Sequence, residues 1–272
     1  MMSIASGSSG NCIYAGSGST HILVDAGCSR KKIVEGLRKL DLTPDDLDAV
    51  LVTHEHSDHI GGLQTLLKNV SVPLYATPGT FFAIRNSGGK SAQTADGTHW
   101  IDTCDIREVH ADAETVIGDI TVDPFAISHD AAEPVCYKLT NGTGSVAVAT
   151  DMGMFDDYTV KHLAGVDALV LEANHDVRML QTGPYPYMLK QRILGDRGHL
   201  SNDASGALLS RILHDNFKAV VLGHLSERNN LPELAYETVR LEVEMGDCPY
   251  HASDFRMIVA DRGVPSPVVE FG

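Results

Sequence analysis

Apolar positions along this chain gather into short, nearly continuous runs. The clearest lie at residues 20–27 (THILVDAG), 47–53 (LDAVLVT), 120–128 (ITVDPFAIS), 144–150 (GSVAVAT), 166–173 (VDALVLEA) and 217–224 (FKAVVLGH). Runs of this length, rich in β-branched residues, predict strands, and their lack of polar alternation predicts strands buried on both faces. Helical spacing appears between them. Ile60, Leu63 and Leu67 predict a helix that starts near Asp58. Residues 201–215 open on a Ser or Asn cap, and residues 231–246 begin with Pro near the first turn and end in Gly. Strands interleaved with helices, with no Pro/Gly-rich linker between halves, predict one α/β domain over residues 1–272, layered α/β/β/α.

Several of these runs end in a residue that can bind a metal. Residues 53–63 read THEHSDHIGGL and follow directly on an apolar run, so His54, His56, Asp58 and His59 are four potential ligands within six residues. His129, Asp151 and His224 close three further runs, and Asp25 closes HILV. Polar groups at strand ends open onto a cleft. Imidazole and carboxylate together suit zinc, manganese or iron. Asp25 lies some thirty residues before the histidine motif and is expected to orient a ligand or its loop rather than bind metal itself.

Composition narrows the class. At 272 residues with 43% hydrophobic content the chain reads as globular. No apolar run approaches the ~18 residues that a membrane span needs. The opening MMSIASGSSGNC has neither a basic segment nor an apolar one, so a cytoplasmic location and no membrane partner are expected. Cys12, Cys28, Cys104, Cys136 and Cys248 are scattered without a CxxC pair, which predicts ordinary thiols rather than disulfides or a thiolate zinc site. The formal charge of −15 works against a broad basic nucleic-acid face. A polyanionic substrate would need its positive charge supplied locally.

HEHSDH resembles the HxHxDH signature of the metallo-β-lactamase superfamily, and the order Asp25, His54/His56/Asp58/His59, His129, Asp151, His224 is similar to that superfamily's ordered motifs. The resemblance implies an αββα sandwich of two mixed sheets flanked by helices, and two divalent metal ions. One ion would take His54, His56 and His129; the other would take Asp58, His59 and His224, with Asp151 bridging. His at position 56 differs from the Glu typical of the flavodiiron branch and favours hydrolysis. Asp151 stands where common zinc β-lactamases often carry Cys, and so resembles the glyoxalase II and phosphodiesterase branches. The stretches SIASGSSGNCIYAG, SHDAAEPVCYKL, ATDMG, LEANHD, GHLSND and GHLSERNN resemble the YycJ/WalJ-like branch over roughly residues 3 to 232. That likeness implies a 5′→3′ DNA exonuclease using a metal-bound hydroxide, with DNA as the nucleic-acid partner.

Two divalent ions less two carboxylates and a hydroxide leave a local charge of about +1, enough for an acidic protein to offer a positive pocket. His199 in RGHLSND resembles the proton donor proposed for tRNase Z-like enzymes, so Asp58 and His199 are the expected catalytic pair. Asn11, Lys190, Arg192, Arg197, Ser226, Arg228 and Asn229 are candidates for substrate contact, and His175 is a candidate supporting residue or auxiliary ligand. A glyoxalase II-like thioesterase or lactonase is the rival enzyme. A non-catalytic metal-binding regulator is the rival of a different class, although the intact ligand set favours an enzyme.

Overall fold

The structure is a computed structural model that describes residues 1–87 and 92–271. One sheet joins β1 (Met2–Ala5), β2 (Cys12–Gly16), β3 (His21–Val24), β4 (Ala49–Leu51), β5 (Leu74–Ala76) and β6 (Ile106–Glu108) in chain order. The other joins β7 (Thr115–Ile117), β8 (Ile120–Ala126), β9 (Val135–Asn141), β10 (Gly144–Ala149), β11 (Ala168–Glu172), β12 (Ala219–Gly223) and β13 (Arg256–Val259), again in chain order. Each sheet is antiparallel where hairpins build it, β1 to β3 and β7 to β10, and parallel where crossovers do.

The apolar runs lack polar positions because alternate side chains enter two different hydrophobic layers. Ile22 and Val24 of β3 face the layer between the sheets, and Leu23 faces the outside of its sheet. Ala49 and Leu51 against Val50 repeat this in β4, as do Val170 against Leu169 and Leu171 in β11. The outer faces are covered by helices. Ile33 and Leu37 of α1 (Arg30–Arg38) pack on the first sheet. With α2 (Ser57–Ile60), α3 (Leu63–Leu67), α4 (Pro78–Arg85), α5 (Asp157–Leu163), α6 (Val177–Thr182) and α7 (Tyr187–Leu194) intervening, α8 (Asn202–Ile212) and α9 (Pro232–Met245) pack on the second sheet through Leu208, Leu209, Val239 and Val243. The layering is the α/β/β/α expected. Truncating a fully buried residue of the central layer, Leu51→Ala for instance, would cost about 2–5 kcal/mol.

The helix expected to run on from Asp58 is instead two short ones, α2 and α3, separated by Gly61 and Gly62. The break has a hydrogen-bond cause: Gly62 N donates to Ala26 O at 2.8 Å and Asp58 O accepts from Asn11 N at 2.7 Å, so the helical bond between 62 and 58 is not made, and a Cβ on Gly62 would lie 1.9 Å from the Cys28 carbonyl oxygen. The motif loop therefore sits hard against the segment after β3, where Ala26 N donates to His59 O at 2.9 Å. No helix among the described residues is long and apolar enough to cross a membrane.

Candidate metal centre

The backbone itself marks three strand ends. Asp25, Asp151 and His224 have φ of 62°, 63° and 55°. Such left-handed positions cost a non-glycine residue about 1–3 kcal/mol and persist only where the surroundings impose them. Here each turns the chain out of its strand at the edge where the two sheets meet. His59 from one sheet and Asp151 from the other approach to 3.2 Å there (Nε2 to Oδ2).

Four of the imidazoles are aimed by a partner on the far nitrogen. His59 Nδ1 lies 2.7 Å from Asp25 Oδ2, His129 Nδ1 is 3.1 Å from Gly198 O, and His224 Nδ1 is 2.8 Å from Glu172 Oε1. His54 Nδ1 lies 3.0 Å from Thr53 Oγ1. Since Thr53 Oγ1 donates its proton to Asp25, it accepts from His54. In all four rings Nδ1 is thus the nitrogen held by the protein and Nε2 is the one turned toward the gap, where His59 Nε2 also lies 3.1 Å from Asn11 Nδ2 and His224 Nε2 3.3 Å from Asp58 Oδ2. His56 is turned the other way, its Nδ1 3.3 Å from His129 Nε2 and its Nε2 3.9 Å from an Asp130 oxygen.

These atoms converge into sets that could hold a cation: His54, His56 and His129; Asp58, His59 and His224; and His54, His59 and Asp151, with ligand atoms in each set within 4.8 Å of one another. The fit to a metal is visible in the unpaired atoms. Among the described residues His54 Nε2 and Asp151 Oδ2 are buried with no hydrogen-bond partner, Asp151 Oδ2 having only the 3.2 Å ion-pair contact to His59 Nε2. An orphaned buried polar atom costs about 1–3 kcal/mol, and a cation between them would account for both. The donors are nitrogen and oxygen only, as zinc, manganese or iron accept.

Electrostatics point the same way. Burial and the neighbouring His59 push His54 well below the usual histidine range, so it stays neutral. Burial opposes the charged form of His224, but Asp151, Asp58 and Glu172 overcome it and carry His224 up to about 10. His59 is likewise raised against burial by Asp151 and Asp25. Asp151, despite full burial, is held well below the carboxylate range by His224 and His59. The carboxylates thus keep protons on two would-be ligands, and a cation has to displace them.

The beta-lactamase superfamily domain, as a family, matches residues 20–224. The chain belongs to the beta-lactamase superfamily. Within the superfamily it is 37% identical to the protein named exodeoxyribonuclease WalJ of Streptococcus pneumoniae, over 98% of this chain and 96% of that one. It is 38% identical to the protein named exodeoxyribonuclease YycJ of Bacillus anthracis, over 89% of this chain and 88% of that one. In fold it is similar to zinc-bound PqqB of Methylobacterium extorquens, with a TM-score of 0.67 and 18% identity over 98% of this chain and 99% of that one.

Sequence reasoning missed one residue of this superfamily member's centre, Glu172. Fully buried at the end of β11, it accepts from His199 Nδ1 and His224 Nδ1 through Oε1, both at 2.8 Å, and from Met152 N and Leu200 N through Oε2 at 2.9 and 3.2 Å. Burial alone would raise its pKa, but His199 and His224 bring it down to about 2, so it is ionised. A signal existed. Glu172 closes an apolar run as Asp25 and Asp151 do, and GHLS occurs twice, at 198–201 and 223–226, once for each histidine Glu172 holds. His199 is 18% exposed at the rim, with Nε2 as its uncommitted nitrogen, while Asp58 is 22% exposed and the other ligands except His56 are buried.

The candidate substrate contacts fare differently from one another. Asn11 is fully buried: its Oδ1 accepts from Gly7 N at 2.8 Å and its Nδ2 faces Asp58 O at 3.3 Å, so it holds the motif loop from beneath. Asn229 is also fully buried, donating to Ser226 Oγ at 3.3 Å, and Ser226 itself is buried. These three positions have no surface to offer a large substrate, a correction to the expected contact role. Lys190 caps α6, its Nζ 2.7 Å from Gln181 O. Arg228 is exposed. Arg192 pairs with Asp130, which also lies 3.5 Å from His129 Nε2, and Arg197 Nε donates to His129 O at 3.1 Å, so both arginines reach the centre's edge. His175 is buried against Asn174, with its pKa lowered to about 4 by burial, and makes no hydrogen bond to a ligand residue.

Proposed function

We propose that this superfamily member is a metal-dependent DNA hydrolase, an exodeoxyribonuclease that works from the 5′ end with two divalent ions, zinc or manganese. What carries the reading is the near-full-length similarity to WalJ and YycJ, joined to an intact set of seven ligand-type residues. His54, His56 and His129 would hold one ion and Asp58, His59 and His224 the other, with Asp151 shared. When bound, such a pair of ions holds a phosphoryl oxygen and makes water a strong nucleophile at neutral pH.

The chain's own residues do the rest. Asp58, on the open side of the centre, orients the attacking water. His199 gives a proton from Nε2 to the departing alkoxide oxygen, and ionised Glu172 holds its ring by Nδ1. Arg197 adds positive charge at the mouth, offsetting locally the −15 of the whole chain, while Arg192 neutralises Asp130. The test is cleavage of linear duplexes labelled at either end, set against a covalently closed circle, with added manganese or zinc. Release of labelled 5′ nucleotides first, with the circle spared, is expected. Equal cleavage of circle and line would refute the exonuclease form. Thioester turnover without DNA cleavage would assign the glyoxalase II-like reaction instead.

A further inference from the structure

The ligand-bearing edge also gathers cations that the metal centre does not use. β1 and β3 are both antiparallel to β2, and β13 is parallel to β12; since His224 after β12 donates from its N to Ser6 Oγ after β1, the ends of β1, β3 and β13 lie at one edge with His224. The segment after each of these strands lies on that rim: the turn at residues 7–10, the first turn of α1, and residues 260–263. These segments touch. Arg262 donates to Leu225 O at 3.0 Å, beside His224, and its Cγ lies 3.4 Å from a Cβ built on Gly7. Lys32 Nζ comes within 3.9 Å of a Cβ built on Gly263. The turn is tied to the ligands by Asn11 N to Asp58 O and by His224 N to Ser6 Oγ, both 2.7 Å.

Charge on this rim runs against the rest of the molecule. Acidic residues outnumber Lys and Arg by 36 to 21, yet the first turn of α1 carries Arg30, Lys31 and Lys32 and no acid. Cations there oppose the helix dipole, so helix stability does not explain their place. Lys32 makes no ion pair among the described residues, and Arg262 has only Glu227, 77% exposed, at 3.1 Å. The N–H groups of the exposed Ser8 and Ser9 have no hydrogen-bond partner among the described residues. Asp261 Oδ1 also lies on this rim, 3.8 Å from the same built Cβ on Gly263, yet among the described residues Lys32 stays without an ion pair and Arg262 is met only by an exposed acid; such cations beside free amides and a phosphodiester site suit an anion that arrives with the substrate.

We propose that Lys32, Arg262 and the Ser8–Ser9 turn form a cradle for the DNA phosphate backbone on the His224 side of the centre. This rests on the nuclease reading above. The ions serve the scissile phosphate; the cradle holds neighbouring phosphates and sets the strand's path. The experiment measures kcat/KM on a linear duplex across a salt series for the wild type, Lys32→Glu, and Lys32→Glu combined with Arg262→Gln. Each phosphate contact contributes about 0.9 to the slope of log affinity against log salt. The single variant should therefore flatten the slope by about 1 and the double by about 2, with KM rising in step. Turnover of bis-p-nitrophenyl phosphate, which has one phosphate, should fall far less. Lys32→Glu guards against damage from losing the Arg262 bond to Leu225. Unchanged slopes in both variants, or equal losses on the small diester, would overturn the cradle. Failure of the nuclease reading would show separately, as a wild type that leaves DNA intact while hydrolysing another ester.

Discussion

Replacing Glu172 by Gln keeps the size of the side chain and removes one charge, and the geometry allows no good compromise. Oε1 accepts from two imidazoles and Oε2 from two backbone amides. If the Gln carbonyl takes the imidazole side, its NH2 faces Met152 N and Leu200 N, and two buried donors lose their acceptor, at about 1–3 kcal/mol each. If it takes the amide side, the NH2 faces His199 and His224, whose Nδ1 must then accept. That tautomer moves the proton to Nε2, the nitrogen His224 presents to the cation. The expected cost is about 2–6 kcal/mol of stability in the first arrangement, or a 10–100-fold loss of metal affinity in the second, the usual range for a residue behind a ligand. Thermal melting of chelated protein reads the first, and zinc titration against a competing chelator reads the second. A Gln variant with wild-type melting and wild-type zinc affinity would refute the reasoning, whatever its activity.

Three further outcomes are expected at the same centre. His199→Ala should slow DNA cleavage by about 10²-fold or more, within the range for general acids, and bis-p-nitrophenyl phosphate far less, since its leaving group departs as a stable anion; equal losses with metals still bound would make His199 a positioning residue. Asp151→Ala should lose metal and Asp58→Ala should abolish turnover with any leaving group; metal analysis showing two full ions in Asp151→Ala would remove Asp151 from the shared position. The pH effect should change with metal content. His224 is raised from 6.5 to about 10 without metal, so its stabilising contribution is whole below about pH 6.5 and is lost as pH climbs toward 10. Chelated protein should melt lower across that window, while metal affinity rises with pH because protons no longer compete; a chelated protein that melts higher at pH 9 than at pH 7 would contradict this.

Much of the centre was legible because an apolar strand has to stop where its sheet meets solvent, and a ligand placed there is a polar residue at the end of an apolar run. Asp25, His54, His129, Asp151 and His224 all stand out in this way. The strands of three to five residues, such as β1, β5 and β6, left no period long enough to read. The break between α2 and α3 was hidden because Ile60, Leu63 and Leu67 keep helical spacing across it; its cause is the Ala26 carbonyl and the Asn11 amide, more than thirty residues away, which take the partners of the missing helical bond. Asn11 looked like a substrate contact because it ends a Gly/Ser loop near the site, and Asn229 because it follows His224, whereas here each closes a loop from the buried side.

The sequence by itself therefore determined the layered architecture and the inventory of candidate ligands, since both follow from local order: which residues alternate, and which polar residue ends each run. Only the tertiary structure decided how that inventory works. Asp25 reaches His59 across 34 residues, Glu172 reaches His224 across 52, and Asp58 reaches His224 across 166. Which nitrogen each ring presents and why Asp25, Asp151 and His224 bear a left-handed backbone both depend on those distant partners. A pattern of neighbours along the chain carries no record of them, because the two sheets bring them together only when their central apolar layer closes.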